Sequence, residues 1–303
     1  MIELITTAES VDQAKLLVSA GVDTLYIGEE QFGLRLPIAF SQDELQEITA
    51  FAHAHQKRVC VAVNALMHND MIEKVVPYLA FLQTVGVDSI TVGDPGVIHL
   101  MKKHDITIPY VYDAQTLVTS ARQVNFWAKR GAVGAVLARE IPFEELKAIG
   151  SQVTVPVEVL VYGATCIHHS KRPLLENYFN FTKETVPSED LYISEPKKPD
   201  THYSIFEDSH GTHVFATNDL NLLPHLASLV EAGITQWKLD GIFTRGNNFV
   251  EIVRLFIEAK RALAGDGWTT ALQESLNERV IALHPKERTL DTGFFLKDPN
   301  NVK

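Results

Sequence analysis

Four times in this chain an amphipathic segment ends at a glycine and leads straight into a short apolar run. The stretches begin at Ala20-Gly21-Val22-Asp23, Val85-Gly86-Val87-Asp88, Arg130-Gly131-Ala132-Val133 and Ala232-Gly233-Ile234-Thr235. Each puts glycine where a helix takes a left-handed C-terminal cap. A helix feeding a buried strand, repeated along one chain, marks a parallel sheet covered by helices. In such folds the chemistry sits at the C-terminal ends of the strands.

The alternation can be followed through the sequence. Strands are predicted at 3–5, 24–27, 59–63, 89–92, 110–112, 135–137, 157–161 and 236–239. Ser10 with Gln13, and Ser41 with Glu44, have the spacing of capping boxes and open the first two helices. From Gly163 to about Asn218 the rhythm breaks, with two short extra strands near 203–206 and 213–216, and the seventh helix resuming at Asn218 or Asp219. Eight strand–helix units favour a closed (β/α)8 TIM-like barrel, in the α/β class, over an open sheet of six to eight strands. The expected organisation is a barrel over 1–265, carrying an inserted excursion (163–218) after strand seven. A C-terminal helix and tail (266–303) would pack on it, docked by Phe294 and Phe295.

An apolar content of 46% over 303 residues suits one large core. Two cysteines, Cys60 and Cys166, make no disulfide framework. The start, Met1-Ile2-Glu3-Leu4, has neither the basic residues nor the apolar run of a signal peptide. No stretch is long and apolar enough for a membrane span. These features predict a cytoplasmic protein with no membrane partner. A net charge of −11 disfavours non-specific binding to nucleic acid, though Lys171 and Arg172 offer a local basic spot.

The strand ends collect polar residues. Arg35 follows strand two; Asn64 and His68 follow strand three. Asp94 ends strand four, Asp113 and Gln115 end strand five, and Arg139 and Glu140 end strand six. Strand seven leads to Cys166, His168 and His169, and strand eight to Asp240 and Arg245. This mixture predicts a site for a small polar or anionic ligand. Two charges interrupt apolar strands, Glu158 and Lys238. An unpaired charge there costs several kcal/mol, so the two are expected to face the barrel interior and pair. Cys166-Ile167-His168-His169 has the ligand types of a metal site but poor spacing, so no metal is expected. It also admits a cysteine nucleophile with His168 or His169 as base.

The run Val157-Glu158-Val159-Leu160-Val161-Tyr162-Gly163-Ala164-Thr165-Cys166 resembles the signature of the collagenase-like peptidase family U32. Further segments are similar to family elements: Gln31 to Arg35, Asn64 with His68-Asn69-Asp70, and Asp94 with Gly96. So are Leu137 to Glu140, Lys238-Leu239-Asp240-Gly241 and Leu290 to Phe294. Members with an iron-sulfur cluster carry several cysteines in and after the signature. Here Pro173 stands about where the second would fall, and no cysteine follows. Four cysteine ligands are therefore unavailable within the chain, and no cofactor is expected.

The chain most resembles the short, cysteine-poor branch found beside a longer paralogue in Gram-positive bacteria. That resemblance implies a role in 5-hydroxylation of a tRNA wobble uridine, linked to prephenate as a possible co-substrate. The longer paralogue is the expected partner, with tRNA and a small anion as further ligands. Two alternatives stay open: a collagenase-like peptidase, hence a hydrolase, and a non-catalytic scaffold for the paralogue. On this reading Glu158, Cys166, His168, His169, Lys238 and Asp240 are the catalytic candidates. Arg35, Asn64, His68, Asp94, Gln115, Arg139, Glu140 and Arg245 are the ligand-binding candidates.

Overall fold

The computed structural model describes residues 1–185, 191–265 and 267–301. Seven parallel strands come first: β1 (Glu3–Thr7), β2 (Thr24–Ile27), β3 (Arg58–Ala62), β4 (Ser89–Val92), β5 (Tyr110–Tyr112), β6 (Ala132–Val136) and β7 (Val157–Ser170). Between them lie α1 (Val11–Ala20), α2 (Gln42–Ala54), α3 (Asn69–Val85), α4 (Pro95–Lys103), α5 (Ala121–Ala128) and α6 (Phe143–Gly150). The eighth barrel strand is β11 (Gln236–Leu239), which pairs in parallel with both β7 and β1. The ring is thereby closed, with strand order β11-β1-β2-β3-β4-β5-β6-β7 and back to β11.

Local chemistry explains the elements. Gly21, Gly86, Gly131 and Gly233 all take positive φ, at 113°, 80°, 103° and 76°. A residue with a Cβ is strained there, so these glycines stop each helix and turn the chain toward the next strand. Ser41 and Glu44 form a complete capping box. Ser10 caps α1 through the Gln13 amide, while the Gln13 side chain accepts from Glu9 rather than Ser10. Outward-facing Leu25, Ile27, Val59, Val61, Ile90 and Val92 join the helices in the main core. Their inward neighbours Ile5, Tyr26, Cys60 and Ala62 form a separate small cluster inside the barrel.

The excursion is more ordered than its sequence promises. β7 does not stop at 161 but runs on to Ser170, beyond its last pairing with β11 at Tyr162. Its upper half pairs antiparallel with β10 (Gly211–Asn221), which pairs with β9 (Lys198–Asp208), which pairs with β8 (Leu191–Glu195). A helix, α7 (Leu174–Thr182), connects β7 to this meander, and 186–190 fall outside the described residues. Gly163 permits the departure. Its φ is 118°, and a Cβ there would lie 2.3 Å from the Asp240 carbonyl oxygen.

The expectation that helix seven resumes at Asn218 or Asp219 is wrong. Both residues lie in β10, and α8 (Leu226–Glu231) begins later. Asn and Asp ahead of an apolar run look like an N-cap, but strand pairing to β7 and to the tail strand β12 (Thr289–Asp291) wins.

The chain ends through α9 (Gly246–Ala264) and α10 (Thr270–Leu283), which pack together. Phe295 is buried against Phe143 and His225, whereas Phe294 is half-buried and carries Lys297 over its ring. The stronger anchor is Arg288. It donates to the Asp219 carboxylate at 2.6 and 2.9 Å, to Ser204 and to the Ala216 carbonyl, and it covers the Phe243 ring. Asp219 is only 1% exposed. Burial pushes its carboxyl up, against the pull of Arg288. Among the described residues no helix is long and apolar enough to cross a membrane.

Removing one partner of a buried ion pair strands the other charge, at a cost of about 3–5 kcal/mol. Arg288→Ala should lower unfolding stability in urea by that amount. Arg58→Ala, which breaks the more exposed pair with Glu3, should cost less than about 1 kcal/mol. Equal effects would show that the tail anchor contributes nothing special.

Candidate active site at the barrel mouth

At the C-terminal ends of the strands lies a cavity of about 590 Å³. It is lined by Arg35, Asn64, Asp94, Gln115, Arg139, Glu140, Glu158, Cys166, His168, His169, Lys238 and Asp240. Twelve of the fourteen sequence-predicted residues are thus brought together. The two others fall elsewhere. His68 is exposed and precedes α3 without capping it. Arg245 is exposed and donates to the Pro37 carbonyl, with Glu9 at 3.6 Å. Both are a few residues too far beyond their strands to turn inward. Lys171, also exposed, donates to the Ser209 carbonyl on the excursion.

The floor is a polar layer. Lys238 Nζ lies 3.8 Å from Glu158 Oε1 and 2.9 Å above the centre of the Tyr26 ring. Both charges are buried, as the interruption of two adjacent apolar strands requires. Burial pushes the Glu158 carboxyl up; Lys238 pulls it down and Asp113 adds to the push. Asn64 donates to Asp113 at 2.7 Å and to the Tyr26 hydroxyl at 3.2 Å, and accepts from the Leu34 amide. Tyr26 and Asp113 line the same cavity and complete this layer. Asp113 was visible at a strand end, whereas Tyr26 reads as core in an apolar strand.

The walls carry cations. Arg139 donates to the Ala164 carbonyl at 2.6 Å and sits 3.8 Å from Asp240, which is buried. Arg35 makes no ion pair among the described residues. Arg35 and Gln115 hold positive φ, 53° and 58°. Non-glycine residues pay about 1–3 kcal/mol for such backbone strain, which persists where the surroundings fix it and clusters at functional sites. Asp94 is partly committed, since its Oδ1 caps α4 through the Gly96 amide. Glu140 stands exposed at the edge.

Cys166 has a different partner from the one its sequence neighbours offer. His168 is exposed, and its backbone carbonyl accepts from the thiol at 3.3 Å. His169 donates Nε2–H to the His210 carbonyl. The imidazole that reaches the thiol belongs to His213 on β10, diagonal to Cys166 across the ladder. His213 is fully buried, stacks on His169 at 4.5 Å, and is bonded through Nε2 to Asp208 at 3.0 Å. Asp208 occupies Nε2, which leaves Nδ1 as the nitrogen free for the thiol, buried and without a hydrogen-bond partner. Burial pushes the thiol up, but the nearby His213 imidazole and the charges of Arg35 and Arg139 outweigh it, leaving Cys166 below the ordinary thiol range. His213 is displaced upward: burial lowers it, and Asp208 and Cys166 together raise it further. Cysteine, histidine and carboxylate therefore lie in order along neighbouring strands, with His213 and Asp208 in place of His168 or His169. Nothing in the spacing of residues 40 or more apart could have shown this.

A four-thiolate cluster does not fit here. Cys60, the second cysteine, packs with Ile5, Tyr26 and Ala62 inside the barrel. Among the described residues no three His, Cys, Asp or Glu side chains are gathered as metal ligands.

The two thiols should react very differently. Burial pushes Cys60 up to about 12. Iodoacetamide should label Cys166 in the native protein, with a pH midpoint below the usual thiol value, and should leave Cys60 untouched until unfolding. His213→Ala should move that midpoint upward. An unmoved midpoint would detach His213 from the thiol.

The profile of peptidase family U32 matches residues 9–303. Over 303 aligned residues the chain is 33% identical to tRNA hydroxylation protein P2 of Bacillus subtilis, covering 98% of each. It is 26% identical to tRNA hydroxylation protein P of Escherichia coli, over 90% of this chain and 71% of that protein. A 23S rRNA 5-hydroxycytidine synthase of Escherichia coli aligns at 25% identity over 79% of this chain and 36% of its own length. The solved U32 peptidase Mk0906 superposes with a TM-score of 0.51 at 16% identity, covering 79% of this chain and 92% of its own, a likeness of fold. Because the match runs through barrel, excursion and tail alike, the chain belongs to peptidase family U32.

Proposed function

We propose that this chain acts in 5-hydroxylation of a tRNA wobble uridine, in the cytoplasm, with a dicarboxylate of the prephenate type bound at the barrel mouth. A longer family paralogue is its working partner. Relatives aligned over nearly the whole chain are named for tRNA hydroxylation. The observation that carries the reading is the Arg35 guanidinium, without a carboxylate partner among the described residues and beside Cys166 in the cavity. With Arg139 on the opposite strand end, it offers two planar forks to an anion with two carboxylates. The net charge of −11 repels anions at long range, so an anion gains only where these cations gather at the mouth.

The linked Cys166, His213 and Asp208 favour one second reading, the peptidase of the family name, because the same order of groups serves acyl transfer. A purely scaffolding role would instead leave Arg35, Arg139 and Cys166 replaceable without loss.

Mass spectrometry of tRNA nucleosides from cells lacking the gene separates these. The 5-hydroxyuridine-derived nucleosides should disappear and return with the wild-type gene. Arg35→Ala should weaken anion binding roughly 10- to 100-fold, the worth of one charged hydrogen-bonded contact, and restore the nucleosides poorly. Unchanged nucleosides in the deletion strain would end the proposal. Cys166-dependent digestion of casein by the pure protein would establish the peptidase instead, and full rescue by Arg35→Ala and Cys166→Ala variants would leave the scaffold.

A further inference from the structure

The hydroxylation reading leaves the Cys166 thiol, the fully buried His213 and the unsatisfied Nδ1 between them without a task. We propose that Cys166 is a covalent nucleophile whose sulfur adds to C6 of a uracil ring seated in the barrel-mouth cavity, with His213 taking the thiol proton and Asp208 positioning His213. This rests on the RNA-modification reading above.

The chemistry of the ring calls for such a group. Uracil carries its C5=C6 double bond in conjugation with the C4 carbonyl, so C6 is the electrophilic carbon. Any electrophile destined for C5, oxygen included, needs C5 first made electron-rich. Thiolate addition does this. The S–C6 bond forms, the C5=C6 π pair moves to C5 and O4 as an enolate, and the former thiol proton stays on His213. The enolate then takes a proton at C5 from solvent. Loss of either C5 proton to a base regenerates the enolate, and breaking the S–C6 bond returns uracil and thiolate. The net result of addition and reversal is exchange of the C5 hydrogen with solvent, with no oxidant consumed.

The site has the parts. In the resting state the proton lies on sulfur and is donated to the His168 carbonyl at 3.3 Å. His213 offers it a second seat at Nδ1, and its Nε2–H is fixed by Asp208, which holds the tautomer that leaves Nδ1 free to accept. The charges facing this pair are Asp208 behind His213, Arg35 and Arg139 across the cavity, and the imidazole of His169 stacked on His213. Arg35 and Arg139 favour thiolate, and they favour an enolate oxygen for the same reason. Gln115 donates its amide to the Asn64 carbonyl, which leaves Oε1 for the N3–H of a uracil. The cavity, about 590 Å³, lies within the usual range for a small-ligand site. A base enters it only when unstacked, and a wobble position in an anticodon loop is already single-stranded.

The test is deuterium loss from C5-deuterated uridine in a tRNA transcript. The full-length protein is used alone and mixed with the longer U32 protein of the same genome. Exchange should occur at the wobble position and be abolished by Cys166→Ser, with native folding checked by circular dichroism. His213→Ala should slow it about 100-fold, the usual worth of a general base. Asp208→Asn should slow it less and shift its pH profile, a readout that a merely structural role would not move. A transcript containing 5-fluorouridine, whose fluorine makes C6 more electrophilic, should give more of the same reversible adduct, captured on the Cys166 peptide by rapid acid denaturation. Exchange at full rate in Cys166→Ser would overturn the proposal. So would the absence of both exchange and adduct. In that case, nucleosides still lost on gene deletion would leave the hydroxylation reading standing. Nucleosides unchanged on deletion, beside clear exchange, would keep the nucleophile and remove the hydroxylation role. Cys166-dependent peptide cleavage without exchange would assign the thiol to acyl transfer and also overturn it.

Discussion

The register of β7 against β10 is the constraint on which the site depends. β7 serves two sheets at once. Its first half closes the barrel between β6 and β11, and its second half rises above the rim to pair with a strand that returns some forty residues later. Side chains alternate along a strand, so a slip of one residue would send Cys166 and His213 to opposite faces. The bulges within this ladder let the two halves satisfy different partners. Gly163 sits at the junction, where a side chain would collide with Asp240. Asp240 in turn stands beside Arg139. A single backbone contact thus ties the departure of the excursion to the placement of one cavity cation.

The polar floor follows from closure. Glu158 and Lys238 occupy adjacent strands, and neither tolerates burial alone. The pairing of β11 with β1 on its other side then closes the ring around them. Closure also gathers Tyr26, Asn64 and Asp113 beneath the mouth, where Asn64 bonds to both of the others across the ring. The cost of burying polarity is met inside the layer, and the cations above it are left to face the cavity.

What could be read from the sequence was the part encoded locally. Glycine caps and apolar runs located all eight barrel strands, and strand ends located most of the cavity lining, because topology makes those ends converge. Charges inside apolar strands announced their own pairing. Contacts made by the excursion were not legible. His213 lies in a strand whose partner is chosen by tertiary pairing, and Asp208 lies at the end of the strand before it. Asp219 resembled a helix cap because its real partner, Arg288, sits far along the tail. His68 and Arg245 were too far past their strand ends to reach the mouth, a matter of loop path rather than residue type.

The scarcity of cysteine gives the thiol environment its meaning. A thiolate in a protein needs positive charge nearby, and a metal cluster supplies it in family members with a full cysteine set. Pro173, about where the resemblance would put a second cysteine, opens α7. A lone buried thiol in apolar surroundings rises in pKa, as Cys60 does. Cys166 has not done so. Its burial is outweighed by His213, Arg35 and Arg139, drawn from three different elements. Such charge is expensive to assemble around an idle residue, and His213 is held by Asp208 at the cost of an unsatisfied buried nitrogen. The arrangement keeps sulfur ionisable without metal, which is the condition a covalent nucleophile must meet and a structural cysteine need not.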